Sequence, residues 1–473
     1  MKDNPSREDR EQFQELLRQY ENLKNGRGHS FLEEDAFEKI ADHFQEKDKS
    51  EQAMEAIEMG IEQYPYSSIL KVKKADILIG LHRYRESLDV LDEVSLLDNN
   101  DINLYILRTD ALLALDQPEK AARLLEEALD MFQGDEKTEL LFELADVYDD
   151  YEEFDKVFDC LKMVLKEEPN NEEALYKICF WTDFTGRNEE SIRLHQEVID
   201  EYPYNELAWF NLAAAYQGLK LYEKAIDAYQ YAITIDEKFD YAWRNMGDAY
   251  IRLRKYKEAI EALEKVNEIA KPEDVIFEAI GHCYDRLKNF AQARFYYRKA
   301  SHLRQDDGKL YYKIAVTYFN EGNWENALRQ LENAMKFSRN QAEYNLLAGE
   351  CLLHRGMFKD AAQYFSNVVR LRPKSSGGWE ALIRCLFKAG FYDDAYEQTE
   401  AALQMLPGKP LFLFYKTAVL FGLGKTKEAI LQLERAMELA PKMLKKLVEL
   451  HPPLLQHQQV VDVLARYKRN RSI

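Results

Sequence analysis

One pattern returns along most of this chain at a fixed interval, and it restricts the fold more than any bulk property does. Residues 207–236 read LAWFNLAAAYQGLKLYEKAIDAYQYAITID, with a bulky Trp209, small Ala213, Ala225 and Ala232, and rings at Tyr216 and Tyr229. A shift of 34 residues brings back Trp243, Met246, Gly247, Tyr250, Ala259, Leu263 and Val266. A second shift gives Phe277, Ile280, Gly281, Tyr284, Ala293, Tyr297 and Ala300. In each unit the apolar residues fall at helical spacing in two bursts, separated by a short turn such as GLKLY or RLRKY. A unit of this kind is a helix–turn–helix hairpin that cannot bury its apolar face alone, so neighbours must stack.

The frame extends to units starting at 34, 68, 102, 138, 172, 206, 240, 274, 308, 342, 376 and 410, twelve in all. The one break in register is an interval of 36 between 102 and 138, and QGDEK at 133–137 is the expected site of the two extra residues. With places counted from the first residue of each unit, Pro65, Pro169, Pro203, Pro373, Pro407 and Pro441 all take place 32. Proline lacks an amide donor and has a restricted dihedral, which suits a junction between hairpins rather than a helix interior. The second and third units are the weakest, with Arg108 and Thr109 at places expected to be apolar and small. Small residues at place 8 are expected to face small residues at places 20 and 27, so Gly281→Trp should open the stack at a cost of roughly 1–3 kcal/mol.

This pattern resembles the tetratricopeptide repeat. In the unit beginning at Glu206 the matches are Trp209, Leu212, Ala213, Tyr216, Ala225, Tyr229 and Ala232, with Glu237 where proline is usual. In the unit beginning at Ala342 they are Ala348, Gly349, Ala361, Phe365, Val368 and Pro373, with Asn345 and Leu352 departing from the pattern. The resemblance implies an all-α, right-handed superhelical solenoid of about twelve hairpins with additional capping helices. It divides the chain into an N-terminal helical cap at 1–33, twelve repeats at 34–443, and capping helices with a short basic tail, KRNRS, at 444–473. REDREQFQELLRQYENLK at 7–24 reads as the first cap, and at the other end HPP at 451–453 should stop one helix before LLQHQQVVDVLARYKR forms another. The chain also looks like cytosolic repeat proteins of Bacteroidota.

Composition agrees with a folded chain: 46% of the residues are apolar and only 12 are proline. The formal charge of -20 is uneven. Residues 1–170 hold 43 Asp and Glu against 21 Lys and Arg, while residues 171–473 hold 41 against 43. An acidic end is a poor nucleic-acid surface, so no direct nucleic-acid contact is expected. No apolar run is long enough to cross a membrane, and MKDNPSREDREQFQELLRQY has no apolar core segment, so no secretory leader is expected and the default compartment is cytoplasmic. Cys283, Cys351 and Cys385 are spaced by whole numbers of repeats, which should keep them apart as buried structural thiols.

Little in the sequence points to catalysis. Gly424-Lys425-Thr426 ends like a phosphate-binding loop, but 419 is valine and the triplet falls on the turn of the twelfth unit, where Gly186-Arg187 and Gly322-Asn323 stand in theirs. His282 and Cys283 are adjacent and so point about 100° apart on a helix. The expectation is a non-enzyme with no cofactor and no metal.

The resemblance implies that the first helix of each repeat lines a concave groove, with places 2, 5, 9, 12 and 13 meeting the ligand. Place 9 is aspartate in the first four units, Asp42, Asp76, Asp110 and Asp146, which makes the N-terminal groove a candidate trough for a partner's Lys or Arg. Further along, Tyr176, Phe180, Phe210, Arg244, Asp248, His282, Tyr312 and Arg384 map to groove places. The clamp that some family members use for acidic C-terminal tails needs Lys at place 5 and Asn at place 9, a pair found in no unit here. The function expected is a protein-interaction scaffold or adaptor that binds a protein or peptide, with a basic segment facing the N-terminal groove. Alternatives are a regulatory component recruited to a membrane-associated complex, or an RNA-associated repeat protein.

Overall fold

The computed structural model describes residues 7–25, 31–338 and 340–471, with side chains described for 12–25, 31–338 and 340–467. Among the described residues there are 27 α-helices and no strand. The first is α1 (Arg7–Lys24). Six hairpins follow: α2 (Glu34–Gln45) with α3 (Ser50–Gln63), α4 (Ser68–Gly80) with α5 (Tyr84–Ser95), and α6 (Ile102–Ala114) with α7 (Pro118–Ala128). Next come α8 (Asp135–Asp150) with α9 (Phe154–Glu167), α10 (Glu172–Thr185) with α11 (Asn188–Glu201), and α12 (Glu206–Gly218) with α13 (Tyr222–Ile235). The other six are α14 (Asp240–Arg252) with α15 (Tyr256–Ile269), α16 (Asp274–Arg286) with α17 (Phe290–Leu303), and α18 (Gly308–Asn320) with α19 (Trp324–Phe337). They continue with α20 (Ala342–His354) and α21 (Phe358–Leu371), α22 (Ser376–Lys388) and α23 (Tyr392–Met405), and α24 (Leu411–Gly422) and α25 (Thr426–Leu439). The short α26 (Leu444–Leu450) and α27 (Gln458–Arg471) close the chain. The chain divides into two compact units, residues 1–242 and 243–473.

The hairpins share a local chemistry at their turns and, in part, at their starts. Polar residues just ahead of some first helices cap them: Ser67 accepts from the Leu70 amide, Asp101 from Asn103, Asn171 from Ala174 and Asn205 from Ala208. At the other end, place 15 is left-handed in every unit: Asp48, His82, Asp116, Glu152, Gly186, Lys220, Arg254, Lys288, Gly322, Gly356, Gly390 and Gly424 all have positive φ. The following amide then bonds back across the helix end, as when Met357 N–H donates to the Leu352 carbonyl at 2.9 Å. This closes the first helix and reverses the chain. Gly424 belongs to this series, so the Gly424-Lys425-Thr426 triplet is a hairpin turn.

Packing inside the hairpin departs from expectation at place 8. A Cβ added to Gly281 would lie 2.7 Å from the Tyr297 ring, one on Gly349 would lie 2.5 Å from Phe365, and one on Gly247 would lie 2.8 Å from Leu263. Place 8 is therefore small first because the large residue at place 24 lies over it; the place-20 backbone is the next neighbour at Gly247, where the Ala259 carbonyl lies 3.7 Å from the added Cβ. Ala293, Ala300 and Tyr297 are buried on the same second helix.

Two further details differ from the sequence reading. The extra residues between the third and fourth units lie at 129–134, after a short α7, and Asp135, Glu136 and Lys137 already belong to α8. Near the end, Pro452–Gln456 forms a 3-10 turn before α27 begins at Gln458, and the side chains of the KRNRS tail lie outside the described residues. At the start of the first unit, Leu16, Leu17 and Leu23 of α1 pack against a core holding Tyr20, Phe37 and Ile40. In the second unit, Leu447, Leu454, Val460 and Val463 join the core of Phe412, Phe414 and Leu433. Arg108 is accommodated by turning to Asp92 and Ser95 on α5, while Thr109 is buried.

Candidate functional site

In the first unit the residues at place 9 project from α2, α4, α6 and α8, but they are not equivalent. Lys73 of α4 puts its ammonium 2.7 Å from Asp42 and 2.9 Å from Asp76, and the Gln45 amide donates to Asp76 at 3.2 Å. The first two aspartates thus share a cation supplied by the chain itself. Beyond Lys73 the balance tips toward the anions. Burial, then the Asp76 charge, holds the Asp110 carboxyl above its ordinary range. Glu143 of α8 is raised by burial and then by Asp110, Asp146 and Glu139, with Lys177 opposing. Asp149 is raised by burial and then by Asp150 and Asp146. Lys177 divides its charge between Glu173 at 2.9 Å and Asp146 at 3.8 Å, and lies 5.0 Å over the Phe142 ring. Glu139, Phe142, Glu143, Asp146, Glu173 and Lys177 border an open cavity of about 370 Å³ between α8 and α10.

Beside this acidic cavity runs an apolar stripe. Tyr176, Phe180 and Phe184 follow at four-residue spacing on α10 and are 71%, 60% and 58% exposed. Phe180 and Phe184 stack at 5.9 Å, and Phe154 of α9 meets Phe184 edge-on at 4.9 Å and stacks on Trp181 at 5.6 Å. Large exposed rings grouped in this way are uncommon on a surface with no partner. Phe210 is different: it is half-buried against Tyr229 at 5.7 Å and Phe239 at 5.0 Å.

In the second unit the candidate residues are largely engaged by other side chains of the same unit. Arg244 makes two bonds to Glu273 at 2.9 and 2.8 Å, and Arg384 is paired with Glu350. Asp248 lies 3.4 Å from Arg252, and Tyr312 stacks on Tyr344 at 5.0 Å. His282 is half-buried near Tyr256; burial first, then Lys313 and Arg286, holds its pKa below the ordinary value. All five cysteines are free; Cys160, Cys283, Cys351 and Cys385 are buried and Cys179 is partly so. Among the described residues no three His, Cys, Asp or Glu side chains are grouped to hold a metal, and no helix is long and apolar enough to cross a membrane.

Family models described as tetratricopeptide repeat match residues 207–239, 240–271, 276–307 and 312–376. The chain carries tetratricopeptide repeats. No curated protein matches it. Among solved structures it is similar to the C-terminal part of a TPR repeat-containing protein from Cytophaga hutchinsonii, at 18% identity over 54% of this chain and 99% of that one, with a TM-score of 0.44. A tetratricopeptide repeat protein from Parabacteroides merdae matches at 20% identity over 52% and 97%, with a TM-score of 0.37. The Cut9-Hcn1 hetero-tetramer of the APC/C matches at 13% identity over 82% and 97%, with a TM-score of 0.35.

Within these tetratricopeptide repeats, place 6 of the first helix does work that the sequence reading missed. Lys73, Lys177 and Lys313 all stand there, and each reaches a carboxylate on the preceding hairpin: Asp42, Asp146 and Glu278. Tyr415 does the same by donating to Glu380 at 2.8 Å, and Asn211 donates to the Leu175 carbonyl at 2.7 Å. Glu143 also occupies place 6, where it adds a negative charge to the acidic face instead of neutralising it. Reading the charges at place 6 along the frame would have shown this, because Lys39, Lys73, Lys177 and Lys313 are basic there and Glu143 alone is acidic.

Proposed function

We propose that this tetratricopeptide-repeat scaffold binds a partner protein along the first-helix face of α6, α8 and α10, and that the bound segment carries both basic and apolar side chains. One observation supports this most: burial and then the charges of Asp110 and Asp146, carboxylates on consecutive hairpins, hold the Glu143 carboxyl above its ordinary range, and Glu143 stands where the next repeat has Lys177. An incoming Lys or Arg relieves that repulsion and forms charge-assisted hydrogen bonds, while Tyr176, Phe180 and Phe184 offer its apolar neighbours an anchoring strip. Asp42 and Asp76, already served by Lys73, contribute less to this reading than the pattern of aspartates suggests. The mechanism is recognition without bond-making.

The test is affinity isolation with the full chain against the Asp110→Asn, Glu143→Gln, Asp146→Asn variant, with each partner quantified. Loss of about 10-fold or more in recovery of one partner, with Asp42→Asn recovering it nearly unchanged, is the expected result. Equal recovery of every partner by both chains removes the acidic face from recognition.

A further inference from the structure

A second cavity, of about 330 Å³, opens on the other side of the hairpins, between α11, α12 and α13. Its α12 wall is Trp209, Leu212 and Tyr216, at places 4, 7 and 11, whereas the groove places on the same helix are occupied by Leu207, Phe210 and Ala214. The cavity therefore uses the opposite stripe of the helix and is separate from the face assigned above. Its floor is a flat ring pair: Trp209 and Tyr231 stack at 4.4 Å and 21°, with Tyr231 56% exposed. Trp209 is fixed by its indole N–H, which donates to the Pro203 carbonyl at 2.9 Å. On the rim stand Asp200 and Asp227, both exposed and neither with an ion-pair partner among the described residues. One cation, Lys224, is nearby and lies 5.5 Å over the Tyr216 ring, so the rim keeps an excess of negative charge.

The combination is particular to this repeat. The unit beginning at Ser376 has the same anchored tryptophan, Trp379 donating to the Pro373 carbonyl at 2.9 Å. There Arg370 and Ala401 take the places of Asp200 and Tyr231, which puts a cation where one of the two carboxylates stands and removes the stacked ring. We propose that the Trp209–Tyr231 cavity is a docking site for an arginine side chain of a partner protein. The guanidinium stacks on the exposed ring of Tyr231 and donates its paired N–H groups to Asp200 and Asp227. A planar, weakly hydrated cation suits a ring face and a carboxylate rim together. An ammonium matches the charge but not the plane, and an aliphatic side chain would leave the carboxylates uncompensated.

The full chain labelled with 5-fluorotryptophan tests this by fluorine NMR, with Trp209→Phe identifying the Trp209 resonance. The probe is acetyl-Gly-Arg-Gly-amide, compared with the Lys and Leu analogues. Saturable movement of the Trp209 resonance with the arginine peptide is expected, weaker by about threefold or more with lysine and absent with leucine. Asp200→Asn with Asp227→Asn should weaken binding about tenfold, and Lys224→Gln should tighten it. The remaining tryptophan resonances report whether each variant keeps its fold. A Trp209 resonance unmoved by the arginine peptide, an equal response to leucine, or undiminished binding by the double variant overturns the assignment. None of these changes touches Asp110, Glu143 or Asp146, so such a result leaves the first-helix face to be judged separately.

Discussion

At Gly281 the first helix of its hairpin comes so close to the second that a single methyl group would meet the Tyr297 ring at 2.7 Å, and that ring is itself 2% exposed. Gly281→Ala is therefore expected to cost about 1–3 kcal/mol by overpacking, read from urea unfolding, and Tyr297→Leu in the same chain should recover part of the loss. An unchanged midpoint would contradict the close approach. The need for a small residue here was legible in the recurrence, but the partner was not, because spacing along one helix does not say which side chain of the other lies above it. His195 carries a second residue-scale expectation. It is fully buried, its Nδ1 2.7 Å from the Ser191 carbonyl and its Nε2 3.2 Å from the Asn211 amide, and burial lowers its pKa to about 4. No charged group faces it from α10, α11 or α12 in this network of Thr182, Ser191, Asn211 and the Leu175 carbonyl. The fold holds the imidazole neutral, so its contribution is complete above the unfolded pKa near 6.5 and is lost as pH falls toward 4, because the unfolded chain takes up the proton first. The stability difference between wild type and His195→Gln should narrow by roughly 3 kcal/mol between pH 7 and 4, measured by denaturant titration at each pH. A constant difference would show that the buried imidazole does not titrate in this way.

At the scale of the element, helix starts follow the sequence frame closely: eleven of the twelve first helices begin within one residue of it, and α8, beginning at Asp135, is the exception. The place-32 prolines and the short turns act within a few residues of chain, which is why they could be read. Each first helix ends on a left-handed residue that seven units fill with a side chain and five with glycine. At Gly356, φ is 74° and an added Cβ meets nothing within 4 Å, so Gly356→Ala isolates the backbone term. It should lower stability by about 1 kcal/mol, seen as a fall in Tm, and no fall would mean that the turn relaxes. The place-6 contacts were hidden for the converse reason. Lys73 meets Asp42, and Lys177 meets Asp146, only because successive hairpins are offset by a fixed step, a distance between elements that local spacing does not encode.

Across the molecule, the charge asymmetry seen in the sequence becomes a difference between the two units' first-helix faces. In residues 243–473 the charged candidates are paired by other side chains of the chain, Arg244 with Glu273 and Arg384 with Glu350. In residues 1–242 the carboxylates crowd at Asp110, Glu143 and Asp146 beside exposed rings on α10. This contrast leads to one decisive experiment, carbodiimide footprinting of carboxylates by mass spectrometry on the full chain, free and in complex with the protein that co-purifies with it. Asp110, Glu143 and Asp146 should lose labelling in the complex, while the exposed Glu127 on α7 keeps its own. Undiminished labelling at all three acidic positions would contradict recognition through this face.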